Sequence, residues 1–138
     1  MSKVAVIYWS GTGNTQTMAE AVAEGAKGAG TEVSLIPCAE VGDVSGFDAV
    51  AMGCPAMGAE ELEDSEFVPM LDSIEAKLTG KKIALFGSYG WGDGEWMRSW
   101  EERCQNANLT LTCESVTANN APDDDAIAAC KALGAALS

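Results

Sequence analysis

Continuous apolar runs alternate with helical patterns along the whole chain, and that rhythm limits the possible folds more than any other feature. The runs are Val4–Trp9, Val33–Pro37, Phe47–Gly53, Lys82–Ser88 and Leu109–Val116. Most are unbroken rather than alternating, as in strands that helices cover on both faces of a parallel sheet. Between them stand periodic segments. Thr15–Ala29 puts Met18, Ala19, Val22 and Ala26 at helical spacing and meets glycines at Gly28 and Gly30. Ser65–Leu78 has Ser65 as its expected N-cap, Pro69 in its first turn, and Leu71, Ile74 and Leu78 as its apolar stripe. Glu95–Asn106 and Asp123–Leu137 complete the series. The last opens with Asp123, Asp124 and Asp125, where a helix dipole favours negative charge.

This alternation predicts a doubly wound α/β fold, a five-stranded parallel sheet in the order 2-1-3-4-5. A chain of 138 residues without repeat or linker is expected to form a single domain, 1–138. The link from the second strand to the third, CAEVGDVSG, has room only for a brief helix. In open sheets of this kind ligands sit beyond the carboxyl ends of the strands, at the switch between the first and third. Three loops are therefore read together: SGTGNT, CPAMGAEELED and SYGWGDGEW.

Composition removes several functions. The formal net charge of −13 argues against nucleic acid and anionic membrane surfaces, both of which call for basic residues. The acidity serves either solubility or docking to basic partners, and composition does not choose between them. No apolar run has the length of a membrane span. The N-terminal MSKVAVIYW enters a strand pattern without a small-residue cleavage site, so no signal peptide is expected and a cytoplasmic location is. Cys38, Cys54, Cys104, Cys113 and Cys130 form no CxxC pair and the chain has no histidine, so free thiols and no metal site are expected.

The first loop, WSGTGNTQ, is rich in hydroxyls and glycine and leads from a strand into a helix. Gly11 and Gly13 let backbone N–H groups face an anion, and Ser10, Thr12, Asn14 and Thr15 add donors. It lacks the lysine of an NTP-hydrolysing loop. It either holds a small phosphate monoester or is a polar cap turn that binds nothing. The other loops supply apolar and aromatic surface. PAMGAEE sets Met57 and Gly58 before Glu60, and YGWG isolates Trp91 between Gly90 and Gly92. A planar ligand between Met57 and Trp91, its phosphate in the first loop, would use all three; an exposed loop tryptophan is the alternative.

These residues resemble the flavodoxins, in particular the short-chain clostridial type. YWSGTGNT is similar to the family's FMN-phosphate signature, GCPAMGAEELEDSEF to its second flavin loop, and ALFGSYGWGDGEWMR to its third. The resemblance spans the full chain. It implies FMN as cofactor, with Ser10, Gly11, Thr12, Gly13, Asn14 and Thr15 as the phosphate cradle. It implies that Pro55, Ala56, Met57, Gly58, Ala59 and Glu60 bind the cofactor from the second loop, that Met57 covers one face of the ring and Trp91 the other, and that Glu60 accepts from flavin N3–H. Ser88, Tyr89, Gly90 and Gly92 would line the ring and ribityl edge, with Asn119 or Asn120 near it. Gly58 is where the family flips a peptide towards flavin N5. With that carbonyl turned to N5, the turn Met57-Gly58-Ala59-Glu60 is expected as type II′, with positive φ at Gly58. Ala59 departs from the polar residue that relatives often carry.

The implied function is that of an electron carrier rather than an enzyme, cycling FMN between semiquinone and hydroquinone at low potential. An acidic surround and a phosphate without a neutralising cation disfavour the second electron, at about 59 mV for each 1.4 kcal/mol. Glu60, Glu61, Glu63, Asp64 and Glu66, with Asp93 and Glu95, would ring the exposed flavin edge and steer a monomeric carrier to basic faces of redox enzymes. The rival is an NAD(P)H-dependent FMN or quinone reductase, for which no spare loop or basic pocket is visible. A phospho-receiver of the same fold would need an aspartate ending strand three, where Met52, Gly53 and Cys54 stand.

Overall fold

The computed structural model describes residues 3–11, 13–58, 60–90 and 92–138. Strands β1 (Lys3–Tyr8), β2 (Glu32–Pro37), β3 (Ala49–Gly53) and β4 (Lys82–Tyr89) run parallel in the order β2-β1-β3-β4. The short strands β5 (Thr110–Leu111) and β6 (Val116–Asn119) both pair with β4 and share the fifth position. The order is thus 2-1-3-4-5, as the rhythm predicts.

Helices cover both faces. α1 (Asn14–Gly28) and α4 (Asp124–Ala136) bury Met18, Val22 and Leu133 against Val4, Val6, Ala51 and Phe86. α2 (Phe67–Ile74) and α3 (Glu95–Asn106) bury Phe67, Leu71, Trp96 and Trp100 against Ile7, Val50, Met52 and Leu85. Neighbouring strand residues point to opposite faces, so double coverage explains why the strands read as unbroken apolar runs. α1 and α4 touch backbone to backbone. A Cβ on Gly134 would stand 2.0 Å from the Val22 carbonyl oxygen, and one on Gly25 2.0 Å from that of Lys131. This accounts for a glycine inside α4 despite its cost to the helix of about 1 kcal/mol.

Two elements differ from expectation. The run Leu109–Val116 is not one strand. Four residues, 112–115, separate the paired Leu111 and Val116, whereas two separate their partners Ile83 and Phe86. The edge bulges there, with Thr112 N–H donating to the Ile83 carbonyl at 2.8 Å and the Ser115 hydroxyl to Glu101 at 2.8 Å. The segment Ser65–Leu78 is α2 followed by a 3₁₀ turn, Glu75–Lys77. Its cap is not Ser65, whose own N–H donates to the Glu63 carboxylate at 2.9 Å. The link after β2 is the single 3₁₀ turn Cys38–Glu40, brief as its length requires. α4 starts behind Asp123, whose carboxylate accepts from Ala126 N–H at 2.8 Å.

Candidate functional site

β1 delivers the first loop to the carboxyl end of the sheet. Trp9 N–H still bonds the Gly53 carbonyl at 3.0 Å, and the chain then turns into α1. Gly13 caps that helix with φ 95, a conformation that favours glycine. Its N–H donates to Ser10 Oγ at 3.0 Å, which fixes the turn. Among the described residues no side chain caps α1, and no acidic residue stands in its first turn. The first-turn N–H groups, at the positive end of the helix dipole, therefore face the loop ready for an anion. Thr15 is buried, with its hydroxyl 3.2 Å from that of Ser88, so the first and third loops meet. Thr12 lies outside the described residues.

The second loop leaves β3 at Cys54. Ala56 N–H donates to the Ser88 carbonyl at 2.9 Å, which ties it to the third. Met57 to Glu60 close a four-residue turn, with Glu60 N–H on the Met57 carbonyl at 2.8 Å, and Met57 N–H reaches the Glu61 carbonyl at 2.9 Å. Gly58 does not have positive φ here, so this turn is not the type II′ form. Ala59 lies outside the described residues. Glu60 itself stands at φ 53. Its Oε1 is buried with no hydrogen-bond partner among the described residues, packed where a Cβ on Gly92 would come within 1.8 Å of it. The φ of 86 at Gly92 favours glycine, and a Cβ there would displace the Glu60 carboxylate.

The third loop follows β4. Asn120 N–H donates to the Tyr89 carbonyl at 2.7 Å, and Tyr89 leans on Trp96 with ring centroids 5.4 Å apart. Arg98 holds the Asp93 carbonyl at 3.0 Å and its carboxylate at 2.9 Å, and this hydrogen bond and charge keep the Asp93 pKa below its ordinary range. Trp91, the residue expected to stack on a ligand, lies outside the described residues.

Together the loops enclose a cleft of about 250 Å³. Gly11 and Asn14 come to it from the first loop, Pro55, Ala56 and Met57 from the second, Ser88, Tyr89 and Gly90 from the third. Trp9 and Asn120 join them, and neither was singled out with certainty in the sequence. Asn120, at φ 59, lines the cleft; Asn119 ends β6 and accepts from Asn120 Nδ2 at 3.0 Å. Glu60 lines a neighbouring groove of about 520 Å³ with Glu61, Asp64, Trp96, Trp100 and Arg103. The cleft offers an apolar wall, an anion-receptive helix end and amide edges. That combination suits a flat ring with a phosphate tail.

The acidic ring is thinner than the sequence suggests. Glu63 is 5% exposed and turned into the loop, not towards solvent. Asp93 is paired with Arg98, so Glu60, Glu61, Asp64, Glu66 and Glu95 remain, Glu66 keeping its charge while it accepts from Trp9 Nε1 at 3.1 Å. All five cysteines are free. Burial pushes the Cys38 thiol to about 11 and the Cys54 thiol to about 12, so both are protonated and inert as nucleophiles. Among the described residues no cluster suits a metal ion and no helix is long and apolar enough to cross a membrane.

The flavodoxin family model matches residues 6–134. A flavodoxin of Megasphaera elsdenii is 44% identical over 135 residues, 96% of each chain. A flavodoxin of Clostridium beijerinckii is 46% identical over 121 residues, 86% of this chain and 88% of that one. The solution structure of two-electron reduced Megasphaera elsdenii flavodoxin superposes with a TM-score of 0.89 at 43% identity, over 97% of both chains.

Proposed function

The chain belongs to the flavodoxin family, and we propose that it holds FMN in the cleft described above and carries electrons singly between redox enzymes. Its curated relatives at 44% and 46% identity are flavodoxins, which does not favour the reductase alternative. FMN, when bound, supplies reversible one-electron chemistry at its ring. Everything else falls to the chain.

The residues fit such a group, and one observation carries most of the weight. Glu60 buries Oε1 without a partner among the described residues, which a native protein tolerates where a ligand donor completes the bond. The N3–H edge of an isoalloxazine is such a donor. The first turn of α1, which no described side chain caps, has Gly13 at φ 95 and Ser10 bracing the loop, and would receive the phosphate by N–H groups and hydroxyls alone. Thr12, Asn14 and Thr15 would complete that cradle. Met57 would cover one face of the ring and Trp91 the other, as the family resemblance implies, and Ser88, Tyr89, Gly90, Gly92 and Asn120 would line its edge. Glu60, Glu61, Asp64, Glu66 and Glu95 leave a negative rim that steers a monomeric carrier to basic faces of its partners.

The test is a binding titration of the unloaded protein. FMN should bind one to one and far tighter than riboflavin, because each hydroxyl–phosphate bond is charge-assisted and worth about 1.5–3 kcal/mol. A preference for FAD, or equal affinity for FMN and riboflavin, would remove the phosphate assignment.

A further inference from the structure

Glu63 is a carboxylate where a solvated acidic loop would not put one. It is buried, and no ion pair among the described residues includes it. Its charge is met by donors instead. Oε1 accepts from Glu66 N–H at 2.7 Å and Phe67 N–H at 2.8 Å, while Oε2 accepts from Ser65 N–H at 2.9 Å and from the Ser65 hydroxyl. These are the orphan donors at the start of α2, gathered by a single side chain.

The same residue closes the second loop. Glu63 N–H donates to Cys54 Sγ at 3.4 Å, and the Glu63 carbonyl accepts from Val68 N–H at 3.0 Å. Cys54 is pinned in turn, its carbonyl accepting from Trp96 Nε1 at 3.0 Å. Residues 55–62, which carry Met57 and Glu60, thus start and finish at one hydrogen-bonded corner. The corner also reaches the first loop. Glu66, its N–H held by Glu63, accepts from Trp9 Nε1, and the Trp9 ring lies 3.1 Å from where a Cβ on Gly11 would be.

We propose that Glu63 is a positioning residue for the cofactor: its carboxylate fixes the corner from which the Met57–Glu60 turn is held and to which Trp9 ties the first loop. The proposal rests on the FMN site argued above. It needs a carboxylate in particular. Glutamine has the same shape but turns an NH₂ towards N–H donors, so one side of the corner loses its acceptor.

The test compares Glu63→Gln with wild type and with Leu133→Ala, a core truncation on the α4 face away from the cleft. Without flavin, amide hydrogen exchange at Met57 and Glu60 should quicken at least about tenfold in Glu63→Gln, and not in Leu133→Ala. With flavin, Glu63→Gln should weaken FMN and riboflavin by the same factor, at least about tenfold, and shift the first reduction potential. Leu133→Ala should lower the melting temperature and leave affinity and potential alone. If Glu63→Gln does not fold, Glu63→Asp, which keeps the charge but withdraws it, should show the same pattern more weakly. Unchanged exchange at Met57 and Glu60 overturns the proposal. So does a lowered melting temperature with unaltered affinity and potential, the behaviour of a merely structural cap. A wild type that binds no flavin sinks the FMN reading instead, and the exchange rates still decide whether Glu63 holds the loop.

Discussion

At Glu60 the backbone stands at φ 53 and the side chain buries an oxygen against Gly92 without a hydrogen-bond partner among the described residues. A left-handed non-glycine residue and an orphaned acceptor together cost a few kcal/mol, on the order of 1–3 for each. A ligand donor at the orphaned oxygen offsets much of that cost. Glu60→Gln should therefore raise the potential of the second electron, since it removes a negative charge beside a ring that gains one. A coupling of about 1.4 kcal/mol would read as roughly 59 mV in a spectroelectrochemical titration. A downward shift would place the carboxylate away from the ring. Gly58 makes the complementary case. In this turn it lies outside the positive-φ region and a Cβ would meet nothing within 4 Å, so alanine fits. A turn with its carbonyl reversed towards N5, if type II′, needs positive φ there, at roughly 1–3 kcal/mol for alanine. Gly58→Ala should leave oxidised FMN affinity nearly unchanged and lower the first potential by about 40–130 mV. An unaltered first potential would exclude the peptide flip as the switch.

At the scale of elements, the start of α2 shows what local sequence rules miss. Ser65 is a residue of the right type just before an apolar stripe, yet the cap is Glu63, reaching forward from the preceding loop to gather N–H groups from residues 65 to 67. Cap preferences describe the residue beside the helix and not a side chain folded back over it. The split of the fifth strand is of the same kind. The residues opposite Ala84 and Leu85 contain two more than the ladder accommodates, a mismatch set by pairing partners and invisible in the run itself. The Glu63 cap has a pH consequence. Burial alone would push its carboxyl up, but hydrogen bonds from the Ser65 hydroxyl and from the N–H groups of Phe67, Glu66 and Ser65 outweigh it and hold the pKa at about 2, below the ordinary 4.5. A carboxyl lowered on folding stabilises the native state fully above its unfolded pKa, and that contribution is lost as pH falls through the folded one. The stability gap between wild type and Glu63→Gln, measured by urea denaturation, should thus be level above about pH 5 and close as pH falls towards 2. A gap that stays constant to the acid end would mean the carboxylate is not held in this way.

At the scale of the molecule, strand order does the assembling. β1, β3 and β4 are neighbours, so the loops that follow them must converge, and the convergence was legible from the rhythm of the chain before any coordinates. Individual loop contacts were not. The Trp9–Glu66 bond joins residues 57 apart in sequence, and the presence of Asn120 in the cleft depends on a φ of 59 at the end of β6. The net charge of −13 acts over the whole surface. It makes a second negative charge near the cleft harder to add, and it favours encounter with basic partners at low salt. The central claim, a one-electron carrier on FMN, is tested most directly by an anaerobic redox titration of the FMN-loaded protein followed by absorbance. The account predicts two well-separated one-electron steps, the second lying well below that of free FMN, with only very slow direct reduction by NAD(P)H. A single two-electron step near the potential of free FMN, or rapid turnover with NAD(P)H, would contradict it.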